Sequence, residues 1–207
     1  MANSSPRTAD RILDAAEELF AAKGFEGSSM SEIADRVAIR APSLYKHYGS
    51  KEKIYEAVLE RLFEPFFATL DQFADSGWSA ASGREQIEQI MQHLANHPNL
   101  PRLIQMQALA GGERLEKLRD SLYRPLFRKA LRLMPSGDEV GGWTPVQLRL
   151  LVTGINNMLI GYFTMASIHG EVLGKDPLSR AAIREQADFL ITVTHKLWMQ
   201  EERHEDS

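Results

Sequence analysis

Residues 28–51 read SSMSEIADRVAIRAPSLYKHYGSK, and this stretch decides the fold of the N-terminal part of the chain. Ser29, followed three residues later by Glu32, is typical of a capping box, which begins a helix. Pro42 suits the first turn of a second short helix, where no backbone N–H donor is needed. Two such helices separated by about three or four residues form a helix-turn-helix, whose second helix can enter the major groove of DNA.

Helical periodicity also dominates on both sides of this stretch. The preceding segment has an apolar stripe at spacings of three and four residues, which predicts a helix from residue 7 or 8 to Lys23, ended by Gly24. No segment alternates apolar and polar residues as a strand does. We therefore expect an all-α protein of about nine helices, with a three-helix unit over residues 1–50 and a longer helical part over residues 51–207.

The longer part is predicted to contain six helices, some of them interrupted by proline. Ser50 can cap the first of these, and Pro65 should kink it near its middle. A loop is expected over residues 76–83. The later helices are expected at about Arg84–Asn96, Arg102–Ala110, Glu113–Leu133, 144–170 and Leu178–Glu202.

The N-terminal residues resemble those of the tetracycline-repressor-like (TetR/AcrR) transcriptional regulators. The similar stretches are RILDAA from Arg11, LF at Leu19, GF at Gly24, SSMSEIA from Ser28 and SLYKHYGSKE from Ser43, in the order and with the gaps of that family. The resemblance implies a ligand-responsive DNA-binding regulator, a repressor in preference to an activator. It assigns the helix-turn-helix to residues 1–50 and a divergent ligand-binding and dimerisation domain to residues 51–207.

The second helix of the helix-turn-helix and its borders supply the candidate DNA contacts. Leu44 is expected in the core, which turns the opposite side of this helix toward DNA. Three positions depart from the family pattern: Ala38 stands in a turn that usually holds Gly, Arg40 replaces a capping Ser or Thr, and Pro42 replaces a common Gly. The candidate contacts are Ser28, Ser29, Arg40, Ala41, Pro42, Ser43, Tyr45, Lys46, His47 and Lys51.

The charge of the chain is uneven along its length. The net charge is −4, which by itself argues mildly against a nucleic-acid-binding protein. From Arg36 to Lys53, however, there are five basic residues and one acidic residue. Such a local basic patch is typical of a protein that binds a polyanion, although on charge alone a solvated surface remains the alternative.

A dimer is expected because one helix-turn-helix reads only a few base pairs and two copies supply the affinity. The predicted helix over residues 144–170 has an apolar stripe and a second stripe of small residues, and the last helix is amphipathic. Both helices could instead be core within one chain. The candidate dimer contacts are Leu148, Ile155, Leu159, Tyr162, Ile183, Ala187, Leu190, Thr194 and Trp198.

An effector site is expected in the longer part of the chain, which is rich in aromatic residues and Met. These residues are core by default, but a few could line an apolar cavity with sparse polar groups, which favours a small hydrophobic effector. The candidates are Phe67, Met91, Met106, Gln107, Tyr123, Phe127, Asn157 and Phe163.

Other function classes have less support. His93 and His97 could form a metal pair in an all-α enzyme, but no third ligand suggests itself; we expect no enzyme activity, cofactor or metal. A ligand-binding or adaptor protein with a vestigial helix-turn-helix is a further alternative.

The chain contains no Cys, and its N-terminus does not resemble a signal peptide. The uncharged segment 150–170 contains several polar residues, so we expect a buried helix, no membrane association and a cytoplasmic location.

Overall fold

The computed structural model describes residues 8–76, 80–133 and 144–199. Within these residues every regular element is helical, which confirms the predicted all-α fold. The helices are α1 (Thr8–Lys23), α2 (Met30–Arg36), α3 (Ala41–His47), α4 (Lys51–Ser76), α5 (Ala80–Asn96), α6 (Asn99–Ala110), α7 (Gly112–Leu118), α8 (Arg124–Leu133), α9 (Pro145–Thr164), α10 (Ala166–Leu173) and α11 (Arg180–Met199), with a π-helical turn at Arg119–Tyr123.

The first three helices surround a small apolar core. Ile12 and Phe20 of α1, Ile33 of α2 and Leu44 of α3 are each fully buried there. At the end of α1 the backbone of Gly24 takes φ of +73°, a conformation that glycine adopts without strain. The apolar stripe, the glycine stop and both short helices therefore agree with the sequence prediction.

Helix α4 joins this core to that of the longer part. Its first turns bury Ile54 and Val58 beneath α1, and the turns further along bury Leu62 and Phe63. Ser50 Oγ accepts a hydrogen bond from the backbone N–H of Lys53 at 3.3 Å, so Ser50 caps α4 as predicted. One buried stripe of α4 therefore runs through both cores.

The remaining helices pack around α4 and α5. Helix α11 packs along α5, and α9 crosses α6 and α8. In this packing the side chains of Met91 on α5 and of Leu100 and Leu103 on α6 are buried. Helix α6 also contacts α1, which brings the longer part directly against the three-helix unit.

The helix predicted over Glu113–Leu133 contains a π-helical turn that the sequence analysis missed. Pro125 has no N–H to donate to the carbonyl four residues earlier, and its ring would clash with that carbonyl. In the turn, the backbone N–H of Arg124 donates to the carbonyl of Arg119, five residues back. The wider turn immediately before Pro125 accommodates the proline without ending the helical path.

Three other predicted boundaries are wrong. Helix α5 begins at Ala80, so the loop expected over residues 76–83 is shorter, and α6 begins at Asn99 with Pro101 in its first turn. The predicted helix over 144–170 ends at Thr164, and α10 follows at an angle of 70° to α9. Thr164 Oγ1 donates to the carbonyl of Ile160 at 2.9 Å, a side-chain hydrogen bond that often bends helices.

The uncharged segment does not form one long helix. Among the described residues no single helix has the length and apolar composition needed to cross a membrane. Helices α9 and α10 meet that test only when they are taken together, across the 70° bend.

Candidate nucleic-acid interface

In the turn between α2 and α3, Ala38 has the left-handed backbone conformation that glycine usually supplies. Ala38 takes φ of +55°, and its N–H donates to the carbonyl of Asp35 at 3.1 Å. The following N–H, of Ile39, donates to the carbonyl of Ala34 at 3.0 Å. The chain therefore keeps the left-handed turn and accepts strain at Ala38, which costs about 1–2 kcal/mol for a residue with a Cβ.

Burial of Leu44 determines which side of α3 faces solvent. Leu44 is fully buried, whereas the side chains around it on the helix are exposed, and Tyr45 is 52% exposed. Ala41 is half-buried. The exposed candidates on α3 and its N-cap are Arg40, Pro42, Ser43, Tyr45, Lys46 and His47.

Arg40 occupies the N-cap of α3, and its side chain makes no capping hydrogen bond. The departure from a capping Ser or Thr therefore leaves an exposed guanidinium at the start of this helix. Guanidinium groups bind phosphate and guanine in bidentate fashion, so the position suits either contact.

Ion pairs separate the basic residues of this region into two groups. Arg36 pairs with Glu18 at 2.8 Å, and Lys53 pairs with Glu56 at 2.7 Å. Neither Arg40 nor Lys46 lies within salt-bridge distance of an acidic side chain in the described part of the chain. Arg40 and Lys46 therefore present exposed positive charges that no acidic partner neutralises among the described residues.

Lys51 stabilises the unit from within. Its ammonium donates to the carbonyls of Phe25 at 2.8 Å and Ser28 at 2.9 Å, and it lies 4.2 Å from the centre of the Phe25 ring. These contacts fasten the start of α4 to the loop between α1 and α2. Lys51 thus positions α4 against this loop, a structural role that differs from the DNA contact expected from the sequence.

The two predicted serines also have structural partners. Ser28 is 3% exposed and its hydroxyl donates to the carbonyl of Gly24 at 2.8 Å, so we correct its assignment as a DNA contact. Ser29 is exposed and forms the predicted capping box: its Oγ accepts from the N–H of Glu32, and a Glu32 carboxylate oxygen accepts from the N–H of Ser29. Lys23 and these hydrogen bonds hold the pKa of the Glu32 carboxyl below its usual value.

The predicted effector residues do not converge on one cavity. Met91 is fully buried in the core and Asn157 is exposed on α9. Gln107 is buried, with its amide donating to the carbonyl of Gly111 and accepting from the Tyr55 hydroxyl at 3.4 Å. Met106 is half-buried at the junction with the three-helix unit, where its methyl group is 3.2 Å from the point a Cβ on Gly24 would occupy.

A small gap of about 30 Å³ does lie in the core of the longer part, among α4, α5, α6, α8 and α9. Tyr123 borders it, and so does Asn156, which the sequence analysis missed although it adjoins Asn157. Burial raises the pKa of the Tyr123 hydroxyl, and Asn156 opposes that shift. Phe127 stacks on Tyr123 at 6.0 Å, while Phe67 and Phe163 pack against or within the surrounding core.

Most of the predicted dimer contacts are core residues of the single chain. Helix α5 covers α11, and α6 and α8 cover one side of α9. Five of the predicted dimer contacts are therefore less than 9% exposed, and we correct their assignment: Leu159, Ile183, Ala187, Leu190 and Thr194. Leu148, Ile155 and Tyr162 are half-buried, and the Tyr162 hydroxyl donates to the carbonyl of Pro177 at 2.6 Å. The side chain of Trp198 lies outside the described residues.

A different apolar surface on the same helices is exposed. We call it the outer face; it comprises Val146 and Leu150 of α9, Met165 after α9, Ile168, Val172 and Leu173 of α10 and Phe189 of α11. Each of these side chains is at least 43% exposed. So many large apolar residues exposed on adjacent helices are typical of an interaction surface.

His93 and His97 stack with ring centres 4.6 Å apart. Burial, with a smaller contribution from His97, lowers the pKa of His93, whose Nε2 lies 3.3 Å from the carbonyl oxygen of Leu62. In the residues described, no group of three or more His, Cys, Asp or Glu side chains could hold a metal ion. The pair is thus accounted for by packing between α4 and α5.

Residues 12–58 match the family model for bacterial regulatory proteins of the tetR family. The N-terminal domain of the chain belongs to the TetR family. The matched TetR region runs from α1 into the first turns of α4 and contains the turn at Ala38 and all of α3.

Curated relatives match between 28% and 48% of the chain. The negative transcriptional regulator IcaR of the biofilm operon in Staphylococcus epidermidis is 39% identical over 70 residues, which is 34% of this chain and 38% of IcaR. The transcriptional activator FasR of Mycolicibacterium smegmatis is 44% identical over 61 residues, 28% of each chain. The regulator RutR of Escherichia coli is 31% identical over 100 residues, 48% of this chain and 47% of RutR. The chain thus spans less than half the length of these relatives.

Solved structures of TetR-type regulators match the fold of the whole chain. A TetR/AcrR-family regulator from Aquifex aeolicus superposes with a TM-score of 0.67 over 90% of this chain and 99% of its own, at 18% identity. The SmeT–triclosan complex superposes with a TM-score of 0.66 over 91% of each chain, at 17% identity. At such identity the likeness establishes the fold: an N-terminal helix-turn-helix followed by a larger helical domain.

Proposed function

We propose that the protein is a ligand-responsive transcriptional regulator that binds operator DNA as a homodimer. The observation that carries the proposal is the exposed side of α3, where Arg40 and Lys46 have no ion-pair partner among the described residues while Leu44 anchors the opposite side. Residues 1–50 are the DNA-binding domain and residues 51–207 the ligand-binding and dimerisation domain.

The DNA contacts come from α3 and from Arg40, which directly precedes it. Arg40 and Lys46 supply charge, Ser43 faces base edges, and Tyr45 and His47 donate to phosphates. The hydroxyl of Ser29 is engaged in the capping box at the start of α2. Ser29 therefore supports DNA binding by fixing the start of this helix. A DNA-binding role also places the protein in the cytoplasm and requires no cofactor, metal or membrane.

The outer face on α9, α10 and α11 is the surface proposed for the homodimer. Its large exposed side chains would cover those of a second copy, and two DNA-binding domains would then bind half-sites about one helical turn apart. Of the residues first expected from the sequence, the five that are buried within one protomer do not serve this role, whereas the half-buried Leu148, Ile155 and Tyr162 remain candidates.

The effector is proposed to enter the gap beside Tyr123 and Asn156. A gap of about 30 Å³ has no room for a ligand, so binding must open it by moving α4 or α8. Since α4 also packs beneath α1, such a movement would displace the DNA-binding domain. The SmeT structure, solved with triclosan, supports a hydrophobic effector for a protein of this fold.

Repression is proposed in preference to activation, although the relatives include both a negative regulator and an activator. The matched proteins are transcriptional regulators, which supports a protein without enzymatic activity. An adaptor with a vestigial helix-turn-helix is the second candidate, and the strained Ala38 is the observation that favours it.

The test is fluorescence-anisotropy binding of the full chain to the DNA upstream of its own gene, with a scrambled duplex of the same length and composition beside it. The regulator is expected to prefer the upstream DNA by at least tenfold and to bind two protomers per site in sedimentation. Equal affinity for both duplexes at low and high salt would favour the vestigial alternative.

A further inference from the structure

Helix α8 carries a row of arginines on its outward side. Its ten residues include four basic side chains and no acidic one. Leu126 packs against the core, whereas Arg124, Arg128 and Arg132 are exposed. These three arginines, which we call the arginine row, repeat at four-residue spacing and so lie on one side of the helix, about 6 Å apart along its axis. The row is a strip of positive charge about 12 Å long.

Little negative charge reaches this row from within the chain. Asp120 pairs with Arg124 at 2.9 Å, but it also pairs with Arg119 at the same distance. The guanidinium of Arg128 donates to the carbonyl of Arg124. Neither Arg128 nor Arg132 lies within salt-bridge distance of an acidic side chain in the described ranges. Arginines exposed in this way favour a partner that supplies carboxylates or phosphates.

A cleft of about 600 Å³ beside the row carries the opposite charge. It lies between the first half of α4 and the segment formed by α7 and the π-helical turn, and six carboxylates line it against the two basic residues Arg114 and Lys117. We call it the acidic cleft; its carboxylates are those of Glu52, Glu56, Glu60, Glu113, Glu116 and Asp120. Because Asp120 pairs with Arg124, the acidic cleft and the arginine row adjoin.

The shape of the acidic cleft suits arginine side chains. Its floor is apolar and consists of four buried residues, Tyr55, Leu59, Leu118 and Leu122. Arginine lays its aliphatic stem along apolar surface while the guanidinium stays with polar groups. On α4, Glu52, Glu56 and Glu60 repeat at the same four-residue spacing as the arginines, so the two rows match in step when they are opposed.

Much of the negative charge in the cleft is available to a partner. The carboxylate of Glu56 pairs with Lys53 and lies 3.8 Å from the ammonium of Lys117. Glu60 and Glu116, on opposite edges of the cleft, are exposed and lie beyond salt-bridge distance of every described basic side chain. The chain thus supplies the carboxylates that its arginine row lacks.

We propose that a second copy of the chain covers both surfaces, with the arginine row of each copy lying in the acidic cleft of the other. Because the row and the cleft adjoin, two copies related by a twofold axis make both contacts at once, and the assembly closes when it has doubled. Neither surface contains a residue of the outer face, so this contact is separate from the dimer proposed above. The two contacts together would bring four helix-turn-helix units into one assembly, a consequence that rests on the proposed function.

Sedimentation velocity of the full chain at several salt concentrations tests the contact without DNA. Exposed charges interact over about 30 Å at about 0.01 M salt but over about 3 Å at about 1 M. We therefore expect, at low salt, a species with twice the mass of the one present at high salt. Each exposed ion pair strengthens association by up to about fivefold, so the experiment uses protein at high micromolar concentration.

Reversing the charge of either surface should abolish the larger species. The two variants are Arg128→Glu/Arg132→Glu in the row and Glu60→Arg/Glu116→Arg in the cleft. Neither should double alone, but an equal mixture should, because the unchanged row of one variant meets the unchanged cleft of the other. The matched control is Arg102→Glu/Arg180→Glu, which makes the same change in net charge as the row variant at exposed positions outside both surfaces. The control should associate within about twofold of the wild type.

Three results would overturn the contact between copies. The first is a wild type of constant mass at all salt concentrations, and the second is equal loss of association in the row variant and the control. The third is a mixture that fails to associate although both variants keep the helical circular dichroism of the wild type. Single-stranded RNA of twelve nucleotides tests a foreign polyanion: RNA binding that the row variant loses, with no doubling of the wild type, would assign the row to nucleic acid instead. No step uses operator DNA, so these results are independent of the test of the proposed function.

Discussion

Replacing Ala38 by Gly should stabilise the protein, although glycine usually weakens a fold. The left-handed backbone at Ala38 costs about 1–2 kcal/mol because its Cβ is crowded against the following carbonyl. Glycine removes this cost but loses about 0.5–1 kcal/mol more conformational entropy on folding. Ala38 is exposed, so its methyl group contributes no burial. The net expectation is an increase of about 0.5–1 kcal/mol in the free energy of unfolding.

Urea unfolding at fixed protein concentration measures this change, with an expected rise of about 0.2–0.5 M in the midpoint and no change in slope. The matched control is Ala68→Gly, at an exposed position inside α4, where the same substitution should lower the free energy of unfolding by about 1 kcal/mol. The decisive result is a higher free energy of unfolding for Ala38→Gly together with a lower one for Ala68→Gly. A loss of stability at position 38 equal to that at position 68 would refute the strained turn.

Three further changes test the local geometry. Gly24→Ala should lower the free energy of unfolding by about 1–2 kcal/mol in urea titrations, since φ is +73° and Met106 crowds the added Cβ; an unchanged midpoint would contradict that turn. Ser29→Ala should cost about 1 kcal/mol by loss of the capping box with Glu32, and thermal unfolding that matches the wild type would exclude the cap. Burial raises the pKa of Tyr55 to about 12, so its unfolded form loses the proton first; the free energy of unfolding should fall by about 2–3 kcal/mol between pH 10 and pH 12, and less so in Tyr55→Phe.

Local sequence signals predicted the structure of the N-terminal three-helix unit well. The apolar stripe of α1, the capping pair Ser29–Glu32 and Pro42 in the first turn of α3 each act within a few residues, so their geometry follows from the sequence. The sequence also showed Ala38 where the turn usually holds Gly, so the turn could either accept strain or change its shape. Choosing between them required the backbone, because the surrounding helices determine whether strain is accepted.

Roles that depend on residues distant in the sequence were harder to predict. Lys51 is one of several basic residues in the sequence, and only the fold brings the carbonyls of Phe25 and Ser28 to its ammonium. Either the apolar stripe or the small-residue stripe of α9 could be buried, so the sequence did not reveal which one α6 and α8 cover. The bend after Thr164 was likewise hidden, because no proline or glycine marks it.

The central claim is that the exposed side of α3 binds DNA, and the salt dependence of operator affinity tests it most directly. Arg40→Ala/Lys46→Ala would remove about four phosphate contacts from a dimer, so the slope of log affinity against log salt should become shallower by about 3.5. Arg128→Ala/Arg132→Ala, which removes the same charge from exposed positions on α8, should keep the wild-type slope. An unchanged slope for the α3 variant, or an equal loss in the α8 control, would contradict the account.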